Sequence, residues 1–263
     1  MSEKKASKRE RNSNNKEEEL KKKKKNILQE SSDLYKCFIS YRDHLDKRND
    51  KYERLVKSSR DITIRSKRVI FGLLRKHEEP ESLVAEAEEN IKPILELISK
   101  IAEELVNEDP YQFLRAVSPG LQEFIEAVSL LHYLKSKKLV SYEEVLSLYF
   151  QFKNNKVLLT HYDYVLGVAD LTGELMRMAI NCISEGNPTR VDEICLMLRL
   201  IHNEFSVFSG VHRDMNRKMN VMKNSLKKVE NACYILKIRG SEVPAFLLED
   251  LNMLKDSDDN LSM

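Results

Sequence analysis

The sequence predicts an all-α protein, a bundle of about seven helices led by one very long N-terminal helix. Three observations support this. Glycine and proline number only seven and six in 263 residues, too few for the turns of an all-β fold. Apolar residues recur at alternating spacings of three and four, as the buried stripe of a helix requires. Capping residues and Pro or Gly fall at the ends of those runs, where helices start and stop.

Residues 1–32 hold almost no large apolar side chain before Ile27, which predicts a disordered basic tail. A helical domain is expected over 33–254 and a flexible acidic tail over 255–263. From Asp33 to about Lys76 the seam Leu34, Phe38, Tyr41, Leu45, Tyr52, Leu55, Ile62, Val69, Leu73 predicts one helix. At about 1.5 Å per residue it spans on the order of 60 Å, long enough to form a wall against a neighbouring chain. Arg48, Ser59 and Ser66 interrupt the seam, so it is not read as an ordinary two-stranded coiled coil. A second helix is expected from Glu81 to Val106, kinked or interrupted at Pro93. Pro110 starts a turn, and a helix pair is expected to break near Pro119 and Gly120. "SYEE" from Ser141 is a capping-box pattern opening a short segment to Phe152. "THYD" at Thr160 opens a helix to about Ser184, which "EGNP" ends. Helices follow at Thr189 to Phe208 and Arg213 to Ile238, and Gly240 and Pro244 break the chain before a short last helix.

The net charge is +2, but residues 1–25 carry eleven Lys or Arg against five Glu. Such a block suits a nuclear-import signal, loose contact with nucleic acid, or a solubilising arm. Four scattered cysteines without a CxxC pair argue against a zinc site or disulfide scaffold and fit a reducing compartment, cytoplasm and nucleus. No apolar run reaches the roughly 18 residues of a membrane span, and no membrane partner is expected. No Gly-rich phosphate loop or serine nucleophile motif occurs. None of the six histidines follows a Glu by three residues, which argues against a di-iron helix bundle.

Two helices carry acids where apolar residues belong. In "GLQEFIEAVSLLHYL", Glu123 and Glu126 lie opposite Leu121, Ile125 and Val128, yet share their side with Ala127, Leu130 and Leu134. The pair is expected to be semi-buried at i and i+3, where helical side chains are neighbours. In the helix from Thr160, Asp170, Glu174, Arg177 and Asn181 form one polar stripe on an otherwise apolar rod. Gly167 and Gly173 flank it and would let a helix or ligand approach. Asp163 falls on the stripe but is explained as the capping partner of Thr160. Four converging carboxylates would repel unless a cation lay between them. Oxygen-only ligands suit Mg²⁺, Mn²⁺ or Ca²⁺, and Mg²⁺ would orient and deprotonate a water for phosphoryl transfer. Spacing is also compatible with ordinary ion pairs from Glu123 or Glu126 to Arg115, Lys135 or Arg177, and periodicity does not decide between the two. Rows of basic residues (Lys57, Arg60, Lys67; then Lys227, Lys228, Lys237, Arg239) either track phosphates or form a solvated face.

Four stretches, "DKYERLVKSSRDITIRSKRVIF" (50–71), "GLQEFIEAVS" (120–129), "DYVLGVADLTGELMRM" (163–178) and "SLKKVENACYILKIRGSEVP" (225–244), resemble the translin-associated factor X members of the translin family, in order and over most of residues 33–250. The resemblance implies an all-helical fold that assembles with translin into a hollow hetero-oligomer, generally an octamer, enclosing RNA. It implies a Mg²⁺-dependent endoribonuclease, with Mn²⁺ expected to substitute, acting on single-stranded RNA such as passenger-strand and tRNA-processing fragments. The family's acids lie in "LQE-x-x-E" and "AD-L-T-G-E" motifs, which places the metal and catalytic roles on Glu123, Glu126, Asp170 and Glu174. Translin itself lacks most of these acids. Lys57, Arg60, Lys67 and Arg177 are the candidate RNA-binding residues. The competing expectation is a non-catalytic partner that binds RNA or stabilises translin. The segment from Tyr149 to Thr160 is shorter than in some family members, which bears on loop contacts and not on the acids.

Overall fold

The computed structural model describes residues 3–75, 80–151, 157–184, 187–208, 210 and 213–239, with the side chains of 3–32, 80, 184, 238 and 239 left aside. Among the described residues there are seven α-helices, two short 3₁₀ turns and no strand. They are α1 (Glu3–Leu73), α2 (Pro80–Glu104), α3 (Leu114–Ser136), α4 (Tyr142–Tyr149), α5 (His161–Ser184), α6 (Pro188–Phe205) and α7 (Arg213–Arg239). The expected last helix and acidic end lie outside the described residues.

Helix α1 differs from expectation at its start. Its backbone is helical from Glu3, over the stretch expected to be disordered. Low apolar content removes a reason to pack, but it does not remove helix propensity. Residues 3–32 contain no Gly or Pro and are rich in Lys and Glu, with Glu17, Glu18 and Glu19 each four residues before a lysine.

The chain divides into two units, 1–53 and 54–263, and the expected seam of α1 divides with them. In the first unit Leu34, Phe38, Tyr41, Leu45 and Tyr52 are exposed. In the second, Leu55, Ile62, Val69 and Leu73 are core residues. Ser59 and Ser66, read as interruptions, are buried there as well. Ser59 is a small residue at a close helix crossing.

That crossing corrects a second expectation. Helix α3 runs unbroken through Pro119 and Gly120. Proline removes a helical hydrogen bond and crowds the preceding turn, but tertiary contacts hold this turn in place. Ser59 Oγ accepts from the Gly120 N–H at 3.0 Å and donates to the Val117 carbonyl at 3.2 Å. A Cβ on Gly120 would stand 2.7 Å from the Ser59 carbonyl oxygen, so only glycine admits this approach. Helix α2 likewise continues through Pro93, where Ile91, Ile94, Ile98 and Ile101 bury its other face. Packing of an apolar face outweighs the lost hydrogen bond.

Local signals elsewhere read true. The capping box at Ser141 is complete, with Ser141 Oγ accepting from the Glu144 N–H and Glu144 accepting from the Ser141 N–H. Asn187 caps α6 at the Arg190 N–H, with Pro188 in the first turn. Within the second unit α5 is central: it packs on α3, α6 and α7. This places its polar stripe between neighbours but only half-buried, with Asp170, Glu174, Arg177 and Asn181 all partly exposed.

Candidate nucleic-acid and metal site

Two contacts set α5 against α3. A Cβ on Gly167 would lie 2.7 Å from both the Gln122 carbonyl oxygen and Ile125 Cβ, so the missing side chain lets the helix backbones meet. One turn earlier, Gln122 Nε2 donates to Asp163 Oδ1 at 2.9 Å, and the Thr160 hydroxyl donates to Asp163 Oδ2 at 2.6 Å. The Asp163 N–H donates back to Thr160 Oγ1 at 3.0 Å. Asp163 is buried and acts as the tie between the start of α5 and α3, outside the acid cavity.

With that register, Glu123 and Glu126 of α3 and Asp170 and Glu174 of α5 line one cavity of about 410 Å³. Gly173, with no atom within 4 Å of where its Cβ would be, leaves the cavity open. The walls are completed by Lys67, Ile70 and Phe71 of α1, Ala169 and Arg177 of α5, and Lys218 and Val221 of α7. Four helices of the second unit thus contribute to one acidic chamber with a partly basic lining.

Burial shapes the chemistry of these acids. Glu126 is 7% exposed. Its carboxyl is pushed up to about 9, first by burial, then by the neighbouring charges of Glu123, Asp170 and Glu174, with Lys218 opposing. Glu123 is also raised by burial, and Lys67 is the main opposing influence. Burial chiefly, and the nearby acids in addition, thus favour the neutral form of the Glu126 carboxyl.

Cations of the chain itself partly fill that role. Asp170 Oδ1 is ion-paired and hydrogen-bonded to Lys218 Nζ. Lys67 Nζ lies 3.8 Å from Glu123 Oε2, and Arg177 lies 3.4 Å from Glu174 Oε2. Arg177 and Lys135, expected as ion-pair partners of Glu123 or Glu126, thus turn elsewhere: Arg177 pairs with Glu174 and Lys135 with Glu88 at 2.6 Å, while Glu123 meets Lys67 instead. Among the described residues no three carboxylate, imidazole or thiol groups are gathered closely enough to hold an ion as they stand. The donor set, oxygens alone around a buried carboxyl, suits a hard divalent cation. Such an ion would have to draw these side chains inward and displace the lysines.

Of the candidate RNA-binding residues, Lys67 and Arg177 lie at the cavity, while Lys57 and Arg60 are exposed on α1 and do not line it. Lys237 is ion-paired to Asp192 at 3.0 Å, and the side chain of Arg239 lies outside the described residues. Sequence reasoning missed two residues. Lys218 sits between the buried Met215 and Met222 on the inward edge of α7, and its spacing from those methionines was the available signal. Phe71 is 69% exposed at the cavity wall, its ring 6.0 Å from the Arg177 guanidinium.

Comparison with known proteins agrees with this architecture. The chain is 42% identical over 248 residues to translin-associated protein X of Mus musculus, covering 86% of each chain. It is 31% identical over 206 residues to the translin-associated protein X homolog of Schizosaccharomyces pombe, covering 75% of this chain and 85% of the homolog. Translin of Gallus gallus is 28% identical over 123 residues, or 46% of this chain. Among solved structures, apo-NeC3PO superposes with a TM-score of 0.60 at 20% identity, covering 74% of this chain and 94% of that one. A complex of AfC3PO with duplex RNA superposes with a TM-score of 0.58 at 20% identity, covering 76% and 95%. The sequence profile of the Translin family matches residues 50–240, and the chain belongs to that family.

Proposed function

We propose that this chain is the RNA-cleaving subunit of a translin-containing hetero-oligomer, octameric by family resemblance, and that it works as a Mg²⁺-dependent endoribonuclease on single-stranded RNA. The observation that carries the reading is the meeting of Glu123, Glu126, Asp170 and Glu174 in one cavity, drawn from two helices in fixed register. Burial first, and the meeting of acids second, favour a protonated Glu126, and a divalent cation bound by the four carboxylates would offset both. Mg²⁺, or Mn²⁺ in its place, supplies charge neutralisation at the scissile phosphate and a nucleophile at neutral pH.

The chain's own residues do the rest. Glu123 and Glu126 present oxygens from α3, and Asp170 and Glu174 present them from α5. Ile70, Ala169 and Val221 give the chamber apolar walls, which strengthen electrostatic contacts inside it. Lys67 and Arg177 offer cations to the approaching backbone. A long helix and an inward-facing site suit substrate entry after subunits close around RNA, with a working place in cytoplasm and nucleus. Passenger-strand and tRNA-processing fragments are the substrates that the family resemblance suggests.

The test is substitution in the complex co-purified with translin. Glu126→Gln and Asp170→Asn should each lower Mg²⁺-dependent cleavage of single-stranded RNA by roughly 100-fold or more, with assembly by light scattering unchanged. Undiminished cleavage in both variants would remove the proposal in favour of a subunit that only binds RNA or stabilises translin.

A further inference from the structure

The acid cavity contains an ammonium in a position where helices seldom carry one. Lys218 lies three residues after Met215 and four before Met222, both buried, so it occupies the core-facing edge of α7. Only 24% of its side chain is exposed. A lysine so placed is held by counter-charge, and its partner is Asp170 on α5.

The same carboxylate is assigned above to a divalent cation, and it cannot serve both at full strength. An ammonium bonded to Oδ1 occupies an acceptor position the ion needs, and like charges crowded into one partly enclosed chamber repel strongly. Charge balance points the same way. Three acids, Glu123, Asp170 and Glu174, face three cations, Lys67, Lys218 and Arg177. Arrival of a divalent ion makes the cavity net positive even if Glu126 gives up its proton. A negative group must then enter, and the released ammonium has a flexible four-carbon stem and three donors with which to meet it.

We propose that Lys218 is an exchangeable counterion: it occupies Asp170 in the ion-free state, and on binding of the divalent cation it transfers to a phosphate of the incoming RNA strand. This rests on the endoribonuclease reading and adds a regulatory property to it. Cation and RNA binding become mutually reinforcing, because each removes the competitor or supplies the counter-charge for the other. The apo cavity therefore binds a divalent cation measurably but less tightly than it does with RNA at hand.

The test uses the full chain co-purified with translin, carrying Lys218→Met or Lys218→Arg, with helix content and assembly checked by circular dichroism and light scattering. Mn²⁺ affinity is measured by calorimetry without RNA, and kcat/KM for single-stranded RNA at saturating Mn²⁺. Lys218→Met should bind Mn²⁺ more tightly, by roughly tenfold, while its kcat/KM falls by roughly tenfold or more. Lys218→Arg keeps the charge, so its Mn²⁺ affinity should match the wild type and its cleavage should exceed that of Lys218→Met. Effects of opposite sign are the signature, since a merely structural lysine would lower both quantities together. Unchanged or weaker Mn²⁺ binding by Lys218→Met overturns the exchange while leaving the nuclease reading intact if the wild type binds Mn²⁺ and cleaves. Loss of folding or assembly in both variants makes Lys218 structural and also overturns it. A wild type that binds no Mn²⁺ overturns both.

Discussion

Gly167 stands so close to Gln122 that a Cβ on the glycine would lie 2.7 Å from the Gln122 carbonyl oxygen. Gln122 precedes Glu123 and Gly167 precedes Asp170 by three residues, so this contact sets the spacing between the two acid pairs. Gly167→Ala must push α5 away from α3, because the obstructing atom is backbone. The variant should lose about 1–3 kcal/mol of stability and bind Mn²⁺ more weakly. Gly173 faces open space, so Gly173→Ala should leave stability unchanged or raise it by up to about 1 kcal/mol. Its methyl group would enter the cavity and cost activity instead. Paired thermal melts and cleavage assays of the two variants separate the roles.

The proton on Glu126 gives stability a direction with pH. Its carboxyl is pushed up to about 9 in the fold from an ordinary 4.5, so the folded chain holds the proton more tightly than the unfolded one. The contribution is complete below about 4.5 and is lost as pH rises through about 9. Glu126→Gln keeps the side chain neutral. Without divalent ions it should be more stable than wild type near pH 8, by on the order of 1–3 kcal/mol, and the gap should close toward pH 5. Each kcal/mol reads as roughly 2–4 °C in Tm.

The same proton must leave if a cation is to bind Glu126. Mn²⁺ affinity should therefore climb with pH until about 9, with up to about one proton released per site. Calorimetry in two buffers of different ionisation enthalpy counts that proton. No proton release, and flat affinity, would place the ion elsewhere.

Much of this site was legible from spacing. Acids on the apolar rods α3 and α5 stood out because an apolar helix face seldom carries them, and the four line one cavity, although spacing alone left ion pairing and metal binding both open. What the chain's local pattern could not convey came from distant packing. Pro119 and Gly120 form a helix-breaking pair by local rules, and only Ser59 on α1, far along the chain, makes the continuous helix favourable. The seam from Leu34 to Leu73 has one spacing throughout, yet its first half is exposed and its second half buried, since periodicity records which side is apolar and not what covers it. Lys218 was passed over among the many basic residues of α7, although its spacing from the buried Met215 and Met222 marked it as the one on the inward edge.

Position separates the basic residues of α1 in a way their regular spacing did not. Lys67 lines the acid cavity, and Lys57 and Arg60 do not. If each cation at the cavity touches one phosphate, Lys67→Ala or Arg177→Ala should lower the log–log salt slope of single-stranded RNA binding by about 0.7. Lys57→Ala and Arg60→Ala should leave kcat unchanged. A filter-binding salt series with the complex tests this directly.

The most direct measurement is a crystal structure of the translin complex grown with Mn²⁺, using its anomalous signal. The account predicts a peak inside the cavity, contacted by carboxylate oxygens from both α3 and α5, with Lys218 Nζ withdrawn from Asp170. No peak there, with Lys67 and Lys218 still seated on Glu123 and Asp170 at saturating Mn²⁺, would contradict it.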